Sequence, residues 1–150
     1  MHASHRFAAT LLLCGLAGAA VAKEIPTANV CFVSAFKSGN ADAIAACYAE
    51  DAIIWFPGGP MAKGRVAIRD GFAGFLANQT VKDVALKEIG HEEMGDTRTT
   101  WGTYSISRID KTTQAASVDN GRYVDVQKKI NGHWLYIVDH PSDDPAPAAK

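Results

Sequence analysis

The chain lacks most of the patterns that announce a ready-made chemistry. Three cysteines in 150 residues are too few for a disulfide-dense scaffold. Nothing has the Cys/His spacing of a zinc site, the run His91-Glu92-Glu93 included, so no metal is expected. There is no glycine-rich phosphate loop and no serine-nucleophile motif, and no cofactor is expected. An excess of one charge is missing too. Lys and Arg number 15 against 16 Asp and Glu, a net charge of -1. Such a chain has no global field to recruit nucleic acid or an anionic membrane surface, and neither is expected as a partner. No internal repeat is visible. What is present is 47% apolar, 9% aromatic and 21% charged residues, the balance of one globular domain rather than of a disordered segment.

Long apolar runs are equally scarce, and the single one stands at the start. His2, His5 and Arg6 precede an apolar stretch over residues 7–20, and Ala20-Val21-Ala22 then meets the charged pair Lys23-Glu24. That is the pattern of a secretory signal peptide. The run is shorter than the roughly 20 residues a spanning helix requires, which favours export over anchoring. Cleavage near Ala22 would release a periplasmic or secreted domain over residues 23–140. It leaves a Pro- and Ala-rich tail, residues 141–150, expected to be unstructured. Cys14 leaves with the peptide. Cys31 and Cys47 remain as an even pair in an oxidising compartment and are a disulfide candidate. Both lie eight residues from Gly39, the centre of an expected connection between two helices, which would bring them to similar height. The alternative is two small buried apolar residues in a helical interface.

Local patterns supply the element order. Pro26 and Thr27 open a helix over about residues 27–38 with Val30, Cys31, Val33 and Phe36 as its apolar face. Asn40 caps a second helix carrying Ile44, Cys47 and Tyr48 and ending near Glu50-Asp51. A β-rich segment, residues 52–56, stops at Pro57-Gly58-Gly59-Pro60. A third helix follows Gly64, with Ile68, Phe72, Phe75 and Leu76 as its core stripe. Strand-like stretches cover residues 81–89, 98–107 and 122–129. Asn131-Gly132 then reads as a two-residue hairpin turn, since both positions want positive φ.

Taken literally, that turn pairs Lys129 with Trp134, Gln127 with Tyr136, Asp125 with Val138 and Tyr123 with His140. Alternation sorts the faces. Val124, Val126, Leu135 and Ile137 form one face, read as plain core. Tyr123, Asp125, Gln127, Trp134, Tyr136 and His140 form the other, with the mixture of aromatic and hydrogen-bonding groups that suits a ligand pocket, a protein interface or an amphipathic solvent face. Helices followed by short-linked strands imply an α+β fold with an antiparallel sheet.

The run from Gly39 to Phe72, with Tyr48-Ala49-Glu50-Asp51-Ala52, the Pro-Gly turn and Gly64-Arg65, resembles the nuclear transport factor 2-like superfamily. The closing segment GRYVDVQKKINGHWLYIVDHPSDDP resembles its last hairpin. The branch it is most similar to holds SnoaL-like proteins and ketosteroid isomerase homologues. This resemblance implies a cone: a curved antiparallel sheet wrapped on about three N-terminal helices, enclosing an apolar pocket, in a homodimer formed through the outer face of the sheet. Isomerases of that group use a carboxylate base, an oxyanion-binding Tyr and a protonated Asp, the ketosteroid isomerase case among the handful of well-described carboxyl-tuned sites. Here the base position is Phe56 and the Tyr position is Phe32. Of two supporting tyrosines one is Tyr48 and the other is Phe72, while Asp125 falls near the oxyanion Asp. Loss of the base removes a contribution of about 10² to 10⁴ in rate.

Three readings follow. The first is an exported pocket that binds a small hydrophobic or aromatic molecule through Tyr48, Trp55, Phe72, Phe75, Trp101 and Tyr123. The second is an acid-base enzyme of the cyclase, dehydratase or isomerase type using Asp125 and His140. The third is a homo-oligomeric assembly module built on the aromatic sheet face.

Overall fold

Thr27 starts the first helix by accepting a hydrogen bond from the Val30 N–H at 3.4 Å, and the helix, α1, runs Ala28–Lys37. A computed structural model describes residues 25–145; the expected signal peptide and residues 146–150 of the expected tail lie outside the described residues. The buried side of α1 is Ala28, Asn29, Ala35 and Phe36 rather than the side led by Val30, which is 58% exposed. The reason is that a polar residue, Asn29, is drawn inward by partners on the sheet. Asn40 caps α2 (Ala41–Ala45), its side chain accepting from Asp42 and Ala43 N–H groups.

This second helix is shorter than its spacing suggests. Tyr48 already belongs to β1 (Tyr48–Trp55), where it pairs with Tyr136, so sheet pairing overrides the helical pattern after one turn. Then come β2 (Met61–Lys63), α3 (Arg65–Asn78) and four long strands, β3 (Gln79–Met94), β4 (Thr97–Asp110), β5 (Ala116–Ile130) and β6 (His133–Asp143). All four exceed the stretches the sequence suggests, because their polar ends still pair across the sheet.

The fold is α+β, with one curved six-stranded sheet in the order β2-β1-β6-β5-β4-β3. Four of its pairings are antiparallel and one, β1 with β6, is parallel. Helices α1 and α3 lie on one face, and a shared core of Phe36, Ile44, Tyr48, Ile54, Ile68, Phe72 and Tyr136 joins them to it. Arg65 at the start of α3 fixes that helix to β1, its Nη2 donating to the Tyr48 carbonyl at 2.7 Å while it also pairs with Glu50. No helix among the described residues is long and apolar enough to cross a membrane.

The Asn131-Gly132 turn forms with φ of 50° and 80°, and Lys129–Trp134 and Gln127–Tyr136 pair as the turn dictates. Beyond them the register slips. Val126 faces Val138, Asp125 faces Asp139, Val124 faces His140 and Tyr123 faces Pro141, so Ile137 is an extra residue on β6. Two expectations are corrected by this strand. The tail does not begin at residue 141, since Pro141, Ser142 and Asp143 continue the ladder opposite Tyr123, Arg122 and Gly121. The face holding Val124, Val126, Leu135 and Ile137 is not the side the helices cover: Val124 is 51% exposed, and of the four Leu135 and Ile137 reach the core only as half-buried neighbours. The helices cover the other face because its hydrogen-bonding groups find partners there.

Cys31 and Cys47 are joined in a disulfide that ties α1 to the residue preceding β1. A loop of this length is worth about 3 kcal/mol in the chain-entropy account. Replacing both cysteines with Ser should lower the melting temperature by roughly 10 °C, read by circular dichroism; an unchanged midpoint would contradict a structural role.

Candidate functional site

Between the helices and the inner face of the sheet lies a cavity of about 750 Å³. Its apolar wall begins in an aromatic cluster. Phe72 of α3 packs edge-on against Phe32, Phe36 and Phe56, with ring centroids 5.8, 5.5 and 5.2 Å away. Phe36 also meets Phe75 at 5.7 Å. Each such pair adds about 0.5–1.5 kcal/mol beyond area burial. Phe56 is held over α3 by the bare backbone of Gly71, where a Cβ would stand 2.6 Å from its ring.

The sheet side of the cavity is polar at its deep end. Asp125 on β5 and Asp139 on β6 are cross-strand partners, and both line the cavity while being almost wholly buried. Tyr48 Oη donates to Asp139 Oδ2 at 2.7 Å. Gln127 Nε2 donates to Asp125 Oδ1 at 2.9 Å and to Asn29 Oδ1 at 3.2 Å, while its Oε1 accepts from the Ala28 N–H. Tyr136 Oη also donates to Asn29 Oδ1, at 2.5 Å, and Asn29 Nδ2 points to Thr100 Oγ1 and Tyr123 Oη. Helix α1 therefore begins in a closed hydrogen-bond network, which is the condition under which buried polar groups are tolerated.

Neither carboxyl has an ion-pair partner in this network. Burial pushes Asp125 up to about 6, against the pull of its hydrogen bonds from Gln127 and Thr100. Burial likewise pushes Asp139 up to about 7; the Tyr48 hydrogen bond opposes this and the neighbouring charge of Asp125 adds to it. Tyr48 and Tyr136 are raised well above the usual phenol range, first by burial and then by the adjacent carboxylates. Chemically, a carboxyl that titrates near neutrality can accept a proton from a bound molecule or return one. Among the described residues no cluster of three or more His, Cys, Asp or Glu side chains could hold a metal ion.

Residues 31–137 match the family model of the SnoaL-like domain. The chain belongs to the SnoaL-like family. Solved structures agree on the fold. A ketosteroid isomerase-like protein from Erwinia carotovora atroseptica is 17% identical with a TM-score of 0.71, over 79% of this chain and 92% of that one. A Nostoc punctiforme protein with a cystatin-like fold is 18% identical with a TM-score of 0.62, over 81% and 89%. A Streptomyces avermitilis member of the nuclear transport factor 2-like family is 17% identical with a TM-score of 0.67, over 79% and 93%. No curated protein matches the chain.

The SnoaL-like fold distributes the sequence-derived candidates unevenly. Phe72, Phe75, Tyr123 and Asp125 line the cavity, as do Phe32 and Phe56 at the positions where the resemblance puts an isomerase's Tyr and base. Tyr48 stands behind the wall and reaches the site through Asp139. Trp55 and Trp101 do not face the cavity: they are 40% and 36% exposed on the outer side of the sheet. Alternation explains both, since Ile54 beside Trp55 and Thr100 beside Trp101 are the inward residues. His140 is not paired with Asp125 either. The extra residue Ile137 turns His140 outward, where its ring lies 5.6 Å from that of Trp55. Asp139 takes the inward place. Sequence reasoning missed Asp139, Asn29 and Thr100. A bulge leaves no signature in hydrophobic alternation, and the value of Asn29 depends on partners more than 70 residues away.

The stability profile should carry the mark of the carboxyl pair. Both Asp125 and Asp139 hold protons more tightly in the folded than in the unfolded chain. Their contribution is therefore complete at pH below the ordinary Asp value of about 4, and it is lost as pH rises through about 6 and 7. Between pH 5 and 8 the wild type should lose melting temperature relative to an Asp125→Asn/Asp139→Asn double variant. Parallel profiles would contradict the assignment.

Proposed function

We propose that this is an exported SnoaL-like domain whose cavity takes up a small, largely apolar or aromatic molecule carrying an oxygen function, with that oxygen meeting Asp139 and Asp125. The observation that carries the reading is an aromatic-walled cavity of about 750 Å³ with two unpaired carboxyls at its deep end. Members of this fold commonly bind small molecules or act as enzymes, and often form oligomers. Export rests on the leading segment over residues 1–22 and accords with a disulfide between Cys31 and Cys47. An N-terminus at Lys23 in protein recovered from the exporting compartment is the outcome expected.

For the pocket, Nile red should bind one molecule per chain with a blue-shifted emission. An Ile106→Arg variant, which places a charge on the cavity wall, should abolish that signal while keeping the far-ultraviolet circular dichroism. Dye binding that survives the substitution would sink the proposal. Rapid isomerisation of a steroid enone would count against binding as the sole function, because Phe56 cannot accept a proton and another group would have to move it.

A second reading is favoured by one specific observation, the placement of the Asp139 carboxyl on the cavity wall, where burial, with no neighbouring cation among the described residues, pushes it up to about 7. In it Asp139, not His140, moves a proton at a carbon beside the ligand's carbonyl, with Asp125 tuning it. Exchange of the α-protons of β-tetralone with D₂O, followed by NMR, should then exceed the buffer rate and vanish in Asp139→Asn. No acceleration leaves binding as the function. Homodimerisation belongs to the same proposal: the outer sheet face exposes Trp55, Trp101 and Val124, apolar surface of the kind a second copy would cover. Light scattering should report a dimer for the wild type and a monomer for Trp101→Glu.

A further inference from the structure

The cavity has a second polar pole that the deep carboxyl pair does not account for. Inward side chains of the sheet fall into cross-strand rows. Asp125 and Asp139 share one row with Thr100. The next row towards the opposite end holds Gly102, Tyr123 and Pro141, and the one after it holds Leu86, Tyr104, Gly121 and Asp143. Asp119, Ile106 and Val84 form the row beyond that, with Arg108 further out still. Asp139 and Asp143 are thus four residues apart along β6, and at about 3.3 Å per residue the poles stand roughly 13 Å from each other. Between them the sheet contributes Tyr123 and Pro141, and the facing helix wall supplies the apolar rings of Phe72 and Phe75.

The chemistry of the outer pole is defined by how its charges are already engaged. Arg108 forks onto Asp119 at 2.5 and 3.1 Å and donates to Gln79 at 2.8 Å, which engages three of its five N–H groups and neutralises Asp119. Tyr104 Oη donates to Asp143 Oδ1 at 2.5 Å. The Tyr104 ring can lie there only because Gly121 opposes it: a Cβ on Gly121 would stand 2.6 Å from the ring and 2.2 Å from the Ser142 carbonyl oxygen. A carboxylate offers two oxygens and Tyr104 takes one of Asp143's. Lys63 also borders the cavity and, like Asp143, is solvent-exposed. The outer pole therefore presents the second oxygen of Asp143 to the cavity as an acceptor.

We infer that the cavity selects an elongated apolar molecule with a polar group at each end, an oxygen function at Asp139 and Asp125 and a hydrogen-bond donor, hydroxyl or amine, at Asp143. The inference rests on the pocket reading and adds a second point of recognition to it. A ligand end that sets a carboxylate or phosphate against Asp143 is disfavoured, since the like charge would repel it.

The test is a fluorescence titration with para,para′-dihydroxystilbene, para-hydroxystilbene and the para-hydroxy-para′-carboxy analogue. One added hydrogen bond to an acceptor that is itself exposed predicts about fivefold tighter binding of the diol than of the monohydroxy compound. The carboxy analogue should bind more weakly than either. In Asp143→Ala, a change at an exposed position near the end of β6, the diol should fall to the level of the monohydroxy compound, whose own affinity stays as it was. Tyr104→Phe serves as a second variant that keeps the ring. Equal binding of diol and monohydroxy compound, or a margin that survives in Asp143→Ala, overturns the two-pole inference and leaves the pocket reading in place. Binding of none of the three overturns both.

Discussion

One extra residue in β6 decides which chemistry faces the interior. Up to Tyr136 the inward positions of that strand are Trp134 and Tyr136, and beyond Ile137 they are Asp139, Pro141 and Asp143. β5 carries no matching insertion, so its inward series Asp119, Gly121, Tyr123, Asp125 and Gln127 runs unbroken. The bulge thus sets a carboxyl of one strand directly opposite a carboxyl of the next. Without it His140 would occupy the cavity wall and Asp139 would lie in solvent. Bulges are common beside functional sites for this reason: they re-aim a side chain without changing the fold.

Two buried acids on neighbouring strands are an expensive arrangement, and the surroundings show how the chain accommodates it. No cation approaches either carboxyl closely enough to pair with it among the described residues. Hydrogen bonds from Tyr48 and Gln127 and partial protonation take that role. Gln127 and Asn29 link the acids to the first turn of α1, so the helix start and the carboxyl site are one hydrogen-bonded unit. The disulfide at Cys31, two residues further along the same helix, fastens this unit to the start of β1. Position of the acids, placement of α1 and the Cys31–Cys47 bond are therefore physically connected: a reduced chain would loosen the helix that satisfies the site's polar groups.

A single cavity whose ends differ in polarity also explains the division of labour among its aromatic residues. The phenyl rings of Phe32, Phe56 and Phe72 stand at positions where the isomerase-like resemblance places hydroxyl or carboxyl groups. They form a continuous apolar wall instead. Phenolic groups are kept for places where they have partners, Tyr48 on Asp139, Tyr136 on Asn29 and Tyr104 on Asp143. The polar side chains that line the cavity lie on the sheet.

Much of the architecture was legible in the chain by itself. Thr27, Asn40 and Gly64 mark helix starts, Asn131-Gly132 sets the hairpin, and Tyr48 through Arg65 carry the family resemblance. Those features are local, and local backbone preferences act over a few residues. The same sequence also named Phe72, Phe75, Tyr123 and Asp125 as pocket candidates, because alternation on β5 and helical spacing on α3 hold without interruption. Only the tertiary structure decided the rest. Trp55 and Trp101 face outward, Asp139 replaces His140, and Asn29 turns from an ordinary helix residue into the hub of the deep network. Each of those outcomes depends on which strand lies beside which and on a one-residue slip between them. Pairing energy across a sheet is shared among residues far apart in sequence, so no segment read alone contains it.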